Sequence, residues 1–571
     1  MTDFIKTQNS FADGAVSHQF YMLDNIRGLS RLENMDVLSG GGLTRRAGLC
    51  TVDTVLTSGR LIPFITSDGY EYLIVLQAGH IYIYREGARC QDILSSWSLD
   101  EINQMQYAQR FDSIIFVHPN FRPHILKYSN GLFVQESFAF SRNPADFSLN
   151  MPFVRFDDST GVTISVAANS MGNNYATFTT NQNYWTPDCV EDSLHLLGRQ
   201  WVIVEYISPT QVVANTNGTY SLPSESVTEW SEGAFGKRRG WPSSITFHQD
   251  RLVFGGSRGW PCGIWMSCVG RHTDFSTGTG LDDEAIFISI QSRVRQHICT
   301  VVSGESLQVL TNAGEWAISN IPLTPSSIDI RQHTSIGSFT TRYLPPQRIE
   351  GSTVFVSRTG MDIRELCLDD FGEHYNATDL CPMAKHLLSL PIDIAYNDTT
   401  RQLFVVCADG TMPVLNHNAS LGISAWGKYT TNGEFLSVGV CGGKTYVLVR
   451  RQNQVYLEYF DINTLCDGSG YVFPFIASGL PLRIGHHNAR KLRVRKIVAR
   501  VKDTKSISIN NQRVVLPNSV QSDVSLGYSG DAVVNLLGTT IDSMVPLWTI
   551  HSLDAKPATI LSVTTNGWYD V

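Results

Sequence analysis

Arg251-Leu-Val-Phe-Gly255, a turn, and then Gly263-Ile-Trp-Met-Ser267 make one unit of a pattern that recurs along the chain. The following units are Leu307-Gln-Val-Leu-Thr311 with Glu315-Trp-Ala-Ile-Ser319, Thr353-Val-Phe-Val-Ser357 with Ile363-Arg-Glu-Leu366, Gln402-Leu-Phe-Val-Val406 with Met412-Pro-Val-Leu415, and Lys444-Thr-Tyr-Val-Leu448 with Gln454-Val-Tyr-Leu-Glu458. Upstream, Tyr72-Leu-Ile-Val-Leu76 with Ile81-Tyr-Ile-Tyr84 and Ile114-Ile-Phe-Val-His118 with His124-Ile-Leu-Lys-Tyr128 belong to the same series. Each run is short, rich in β-branched and aromatic residues, and bounded by Gly, Asn or Asp, which reads as a strand, a turn and a second strand. Outside one gap, the units begin 42 to 56 residues apart. A period of about 40–50 residues with several strands per unit is the signature of a β-propeller. A single blade leaves both faces of its sheet bare, and stacking blades around an axis covers them. Seven hairpins predict six or seven blades.

The gap is the 137 residues between Ile114 and Arg251, and an insertion of about 95 residues restores the interval to 42. Residues 143–238 carry a strand pattern of their own, including Val162-Thr-Ile-Ser-Val166, Gln200-Trp-Val-Ile-Val-Glu205 and Gln211-Val-Val-Ala214. They are read as a small β-barrel or sandwich inserted between blades. After Asp461 the register changes, and 492–502 and 506–515 read as strands of a C-terminal β-domain. The chain divides into an N-terminal segment 1–50, propeller 51–142, insertion 143–238, propeller 239–461 and terminal β-sandwich 462–571. The best helix candidates, 99–109 and 383–390, are short, so the fold class is all-β.

Composition narrows the classes. Among 571 residues, Asp plus Glu number 52 and Lys plus Arg 44, a net charge of −8. Charged residues are 17% and aromatics 10%. Disordered chains need more charge and fewer aromatics, and coiled coils need an excess of Ala, Glu, Lys, Leu and Arg. No run approaches the roughly 18 apolar residues of a transmembrane helix. The opening Met1-Thr2-Asp3-Phe4-Ile5-Lys6 lacks the basic-then-apolar pattern of a secretory signal. The 11 cysteines form no CxxC pair and read as free thiols packed as small hydrophobes in a reducing compartment.

Three constellations invite a chemical reading. Gly40-Gly41-Gly42 precedes Arg45 and Arg46, but a phosphate loop needs GxxxxGK[ST] after a strand, and neither this stretch nor Gly233-Ala-Phe-Gly-Lys237 provides it. The glycines therefore read as a tight turn, and Arg45 and Arg46 as exposed or interface-paired guanidiniums. Asp157-Asp158, Asp282-Asp283-Glu284 and Asp369-Asp370 are adjacent carboxylates, which point to opposite faces of a strand and do not converge as glycosidase or calcium sites require. Among the histidines, His118 and His248 lie in apolar hairpins and read as hydrogen-bonded core or blade-edge residues, and neither HExxH nor GxSxG occurs. No catalytic residue, cofactor or tightly bound metal is expected.

The one strongly basic run spans Arg483, Arg490, Lys491, Arg493, Arg495, Lys496, Arg500, Lys502 and Lys505, with His486 and His487. Alternation places Arg493, Arg495 and Ile497 on one parity and Leu492, Val494 and Lys496 on the other. This strand reads as a lumen wall meeting DNA phosphate, a docking face for an acidic partner, or a solvated face.

Phe4-Ile-Lys-Thr-Gln-Asn-Ser-Phe-Ala-Asp-Gly14, followed by Leu32-Glu-Asn-Met-Asp-Val-Leu-Ser-Gly-Gly-Gly-Leu-Thr-Arg-Arg-Ala-Gly48, resembles the opening of the tail nozzle (tail tubular protein B) family of short-tailed bacteriophages. The resemblance continues through Gln106-Tyr-Ala-Gln109, Phe116-Val-His-Pro119, Pro123-His124, Arg239-Gly-Trp-Pro-Ser-Ser-Ile-Thr-Phe-His-Gln-Asp-Arg-Leu-Val-Phe-Gly-Gly256, 304–316 and Arg364-Glu-Leu366. It covers nearly the whole chain in order and is weakest at the close. The resemblance implies a structural virion protein, not an enzyme. That protein would be a homo-hexameric ring at the distal tail that extends the DNA channel below the tail adaptor ring and helps retain and release the genome. Implied partners are the adaptor ring, tail fibre or spike proteins, genomic DNA passing without sequence-specific binding, and the host envelope. The location is the virion tail, assembled in the host cytoplasm. The net negative charge suits a lumen that does not hold DNA. Both chain ends are expected in one platform, with Gly40, Gly41, Gly42, Arg45, Arg46, Arg493 and Arg495 as candidate assembly contacts. The competing class is a polysaccharide-binding or -degrading propeller, which would need carboxylates and aromatics pointing into the channel mouth.

Overall fold

Glu71–Gln77 and His80–Arg85 are buried along almost their whole length, because sheets cover both of their faces. That is why these runs read as unbroken apolar stretches and do not alternate. The two-residue turn between them depends on Gly79, whose φ of +83° is open to glycine at no steric cost. The computed structural model describes residues 2–570 apart from 22–25, 56, 279, 370, 371, 373, 469, 483–490, 518–526 and 542–544.

Repetition of this unit builds a seven-bladed propeller. Six blades are four-stranded antiparallel sheets within 59–94, 106–137, 244–289, 298–334, 347–379 and 391–429. The seventh takes three strands from 434–461 and its outermost strand, Gly48–Val55, from the far end of the propeller sequence. Gly48–Val55 pairs antiparallel with Gln454–Asp461 and so closes the ring with backbone hydrogen bonds. The propeller therefore begins before residue 51. An apolar cluster fills each of the seven interfaces between successive blades. Phe64, Ile74, Phe116 and Phe133 join blades one and two, and Val75, Tyr82, Leu448 and Leu457 join blades seven and one. Burial of each such side chain contributes about 1.5–3 kcal/mol.

The helix expected over 99–109 is only Leu99–Gln104. Ser98 and Glu101 form a reciprocal cap at its start, and Met105 is already extended, so Gln106–Arg110 enters blade two as its first strand. The candidate at 383–390 reduces to a 3-10 turn, Lys385–Leu387, stopped by the strand beginning at Pro391. Among the described residues no helix is long and apolar enough to cross a membrane.

The insertion leaves blade two and returns to blade three as one seven-stranded sheet. Backbone hydrogen bonds of 2.9 and 2.8 Å between Ile164 and Val227 draw its two sides together. The sheet wraps a core containing Phe178, Trp185, Trp201 and Trp230.

The chain ends meet in a two-layer β-platform. One sheet contains Thr2–Gln8, Met35–Val37, Leu43–Arg45, Lys491–Thr504, Tyr528–Ile541 and Thr559–Asp570. The other contains Arg31–Glu33, Phe475–Ser478, Thr549–Ser552 and the short hairpin Ser508–Ile509 and Gln512–Arg513, which replaces the single strand expected over 506–515. Phe11, Leu32 and Met35 from the start of the chain share this core with Val494, Ile497, Trp548 and Ile550 from its end. The second layer is hydrogen-bonded to blade six through Lys428 and Glu33, so platform and propeller share a continuous sheet.

Candidate assembly platform

The Gly40–Gly42 turn packs within the chain. Gly41 has φ +81°, and a side chain there would come within 2.7 Å of Ser10 Oγ. A side chain on Gly42 would meet the Ile560 carbonyl at 2.9 Å. Gly40 faces open space. The turn thus fits the N-terminal segment against the last strand.

The expectation of exposed or interface-paired guanidiniums at Arg45 and Arg46 is corrected. Arg46 is fully buried and forms a bidentate pair with Asp467, also fully buried, at 2.9 and 2.6 Å. Its Nε donates to Asn34 Oδ1 at 2.9 Å, and its remaining donors reach the carbonyls of Thr430 at 2.9 Å and Ala47 at 2.7 Å. The guanidinium lies 3.6 Å from the centre of the Phe473 ring. Arg45 donates to the carbonyls of Phe473 at 2.6 Å, Lys556 at 3.1 Å and Asp554. Burial, with adjacent Arg46, lowers its pKa to about 10. The two arginines tie the N-terminal segment to the loop after blade six and the loop after blade seven. They form the internal joint of platform and propeller.

Arg493 and Arg495 lie on the exposed face of the platform, in the strand Lys491–Thr504. Arg493 stacks 5.1 Å over Trp568, Arg495 is 3.6 Å from Asp3, and Arg500 is 3.5 Å from Asp531. The alternation deduced from sequence breaks within this strand. A bulge between Val494 and Lys496 shifts the parity, so Leu492 and Val494, then Ile497, Ala499 and Val501, all point into the core. Ile497 therefore does not share a face with Arg493 and Arg495. Arg483, His486, His487 and Arg490 of the basic run lie outside the described residues, as does Asp370.

A cleft of about 640 Å³ separates the platform from blades six and seven. On it, Asp36 Oδ1 accepts from Gln402 Nε2 at 2.8 Å and from the Tyr429 hydroxyl. Burial pushes this carboxyl up to about 6.

The propeller axis is closed by a segment that sequence reasoning missed. The linker between blades four and five carries Tyr343 across the axis, where Arg60 of blade one lies 4.9 Å over its ring and 5.6 Å over Tyr107. The Tyr343 amide donates to the Asn103 carbonyl at 3.3 Å. Arg60 Nη1 donates to the Met105 carbonyl at 2.6 Å. What remains beside the linker is a cavity of about 200 Å³ and another of about 110 Å³. Burial pushes the Tyr107 phenol up to about 12. The signal available in sequence was the long interblade stretch ending in Pro345-Pro346.

Asp158 and Glu284 of the acidic clusters serve local structure. Arg239 clamps Asp158 with two bonds of 2.9 Å and Glu232 with bonds of 3.0 and 2.8 Å, at the root of the insertion. Beside it, burial and the Glu232 charge push the Asp192 carboxyl up to about 7. Glu284 accepts the amides of Gly280 and Leu281 in its own turn, at 2.6 and 2.9 Å. At the axis, Asp393 accepts from Ser437 Oγ at 2.5 Å and from the Val438 amide at 3.1 Å. His118 stacks on Phe121 with ring centres 4.8 Å apart, and His248 Nδ1 lies 3.0 Å from Ser303 Oγ. No group of three metal-ligating side chains occurs among the described residues. All 11 cysteines are free, with Cys90 exposed.

No family model and no curated protein matches this chain. Among solved structures, BamB from Moraxella catarrhalis is similar over 73% of this chain and 98% of its own, at 12% identity and a TM-score of 0.34. The β-propeller domain of Cps50 (Swd1) from Myceliophteria thermophila matches over 64% of this chain and 99% of its own, at 10% identity and a TM-score of 0.32. Virginiamycin B lyase from Staphylococcus aureus matches over 72% of this chain and 99% of its own, at 12% identity and a TM-score of 0.29. Likeness at this level carries no inference about activity.

Proposed function

We propose that this chain is a structural subunit of a short-tailed phage tail, a nozzle protein whose copies form a ring, expected to be a hexamer, around a DNA channel. The observation that carries this reading beyond the sequence resemblance is the closed propeller axis. Arg60, Tyr107 and Tyr343 pack across the axis and leave only small cavities beside them; in this reading the DNA path runs between copies and not through one propeller. The joined chain ends support a ring element, because they form one two-layer block whose sheet continues into blade six. In this reading the platform faces the tail adaptor ring, and the propeller and insertion face fibres, spikes or the host envelope. The Asp393 carboxylate at the axis is held by Ser437 and Val438, which speaks against the polysaccharide-degrading alternative.

The test is electron microscopy of the purified chain, together with mass spectrometry of tails from the virions it would belong to. A ring with a central channel, and the chain in the tail, are the expected results. A chain that stays monomeric and is missing from the tail would defeat the proposal. So would polysaccharide turnover abolished by one carboxylate-to-amide substitution.

A further inference from the structure

We propose that neighbouring copies of this chain join by strand pairing in the platform, with Tyr528–Ile541 of one copy receiving Thr2–Gln8 of the next. This deepens the ring reading and rests on it. The first platform sheet runs Tyr528–Ile541, Lys491–Thr504, Thr559–Asp570, Thr2–Gln8, and every pairing in that series is antiparallel. Both Tyr528–Ile541 and Thr2–Gln8 leave one backbone edge unpaired among the described residues; Leu43–Arg45 shares the last strand with Thr2–Gln8, pairing with it at Thr559 and Ile560. Among the described residues, the backbone of Tyr528–Ile541 pairs only with the basic strand, and that of Thr2–Gln8 only with the last strand.

Open edges are hazards that single-copy proteins blunt with short strands, prolines or lysines. The 14 residues of Tyr528–Ile541 contain neither lysine nor proline. Strand direction favours the joint. Four strands alternating in direction begin and end on opposite senses, so a following copy placed in the same orientation presents Thr2–Gln8 antiparallel to Tyr528–Ile541. The sheet then continues from copy to copy without reversal, which is the head-to-tail contact that closes rings.

Side chains fit the same joint. Cross-strand rows place Val533 with Val498, Thr564 and Thr7, and Asn535 with Lys496, Asn566 and Ile5. Ile5 and Val533 therefore share the outer face, at opposite edges, and they are 75% and 41% exposed. Pairing between copies brings these exposed apolar groups beside one another. Two identical Thr2–Gln8 edges laid together would bring two Lys6 ammonium groups into one inner layer, which like-charge repulsion opposes. This disfavours pairing of two Thr2–Gln8 edges, and the proposed joint is the one between unlike edges.

The test has two arms on the full chain. Ile5→Cys and Val533→Cys are combined and oxidised mildly, with the parent and each single variant as baselines. A disulfide-linked ladder ending at the ring size, formed by the double variant alone, is the expected result. In the second arm, hydrogen exchange on the unsubstituted chain is expected to slow at least tenfold in 2–8 and 528–536 on assembly. A ring that assembles with neither cross-linking above baseline nor added protection overturns the strand joint and leaves the ring reading standing. Dimers from Val533→Cys alone also overturn it, because they report pairing of like edges. A chain that forms no ring at all, alone or in tails, overturns both.

Discussion

Removing the Arg46 guanidinium tests whether the joint of platform and propeller rests on one buried ion pair. Arg46→Ala leaves Asp467 fully buried without its cation. It also removes the donors to Asn34, Thr430 and Ala47 and the stack on Phe473. Breaking a buried pair from one side costs about 3–5 kcal/mol, because the remaining charge stays desolvated. At about 1.4 kcal/mol per decade, this is a loss of roughly a hundred- to a few thousandfold in the folded-to-unfolded ratio. Replacing both partners removes the orphaned charge, so Arg46→Met with Asp467→Leu is expected to be less damaging than the sum of the single changes. The assay is urea unfolding followed by tryptophan fluorescence, with Trp548 reporting on the platform core. Platform and propeller can unfold separately, so the platform transition is fitted by itself. If Arg46→Ala lies within about 0.5 kcal/mol of the parent, as surface substitutions do, or if the double change is additive, the ion pair does not hold the joint.

Asp192→Asn is expected to stabilise the insertion at pH 8 and to have little effect near pH 4. The folded carboxyl is raised to about 7 from its ordinary 3.8, so its stabilising proton is present below the lower value and is lost as pH rises through the upper one. Thermal melts across that window check this, and a pH-independent difference would contradict it. Charge reversal at both Arg493 and Arg495 is expected to change monomer stability by no more than about 1 kcal/mol, about 0.5 for each, while weakening ring or adaptor assembly. Normal assembly would leave the basic strand as a solvated face. In native protein, thiol reagents are expected to modify Cys90 first. Cys381 and Cys407, buried and pushed up to about 12 and about 11, are expected to react only on unfolding; prompt modification of either would contradict their burial.

The propeller was legible because its signal is local and repeated. Each hairpin announces itself through a turn and two apolar runs, as at Glu71–Arg85, and the spacing counts the blades to within one. The missing count came from Gly48–Val55, which lies in sequence beside the N-terminal segment and in space against Gln454–Asp461. Nothing in those eight residues states that pairing, because strand partners far apart in sequence are chosen by tertiary closure.

The insertion was legible as an interruption of the repeat. The helix candidates failed at Met105 and Pro391, where strands of neighbouring blades override weak helical preference. In the basic strand, alternation located the charges, but the bulge after Val494 reassigned Ile497 to the core.

Residue pattern alone thus determined the fold class, the repeat and the places where the repeat stops. Both β-strand periodicity and turn chemistry are written within a few neighbouring residues. Only the tertiary structure decided the fate of the charged groups. Arg45 and Arg46 look like any solvent-facing pair until Asp467 and the Phe473 ring, more than 400 positions away, fold over them. Likewise, Tyr343 becomes an axial plug only once seven blades surround it. A charge or an aromatic ring takes its role from what is packed against it, and that packing is set by contacts distant in the chain.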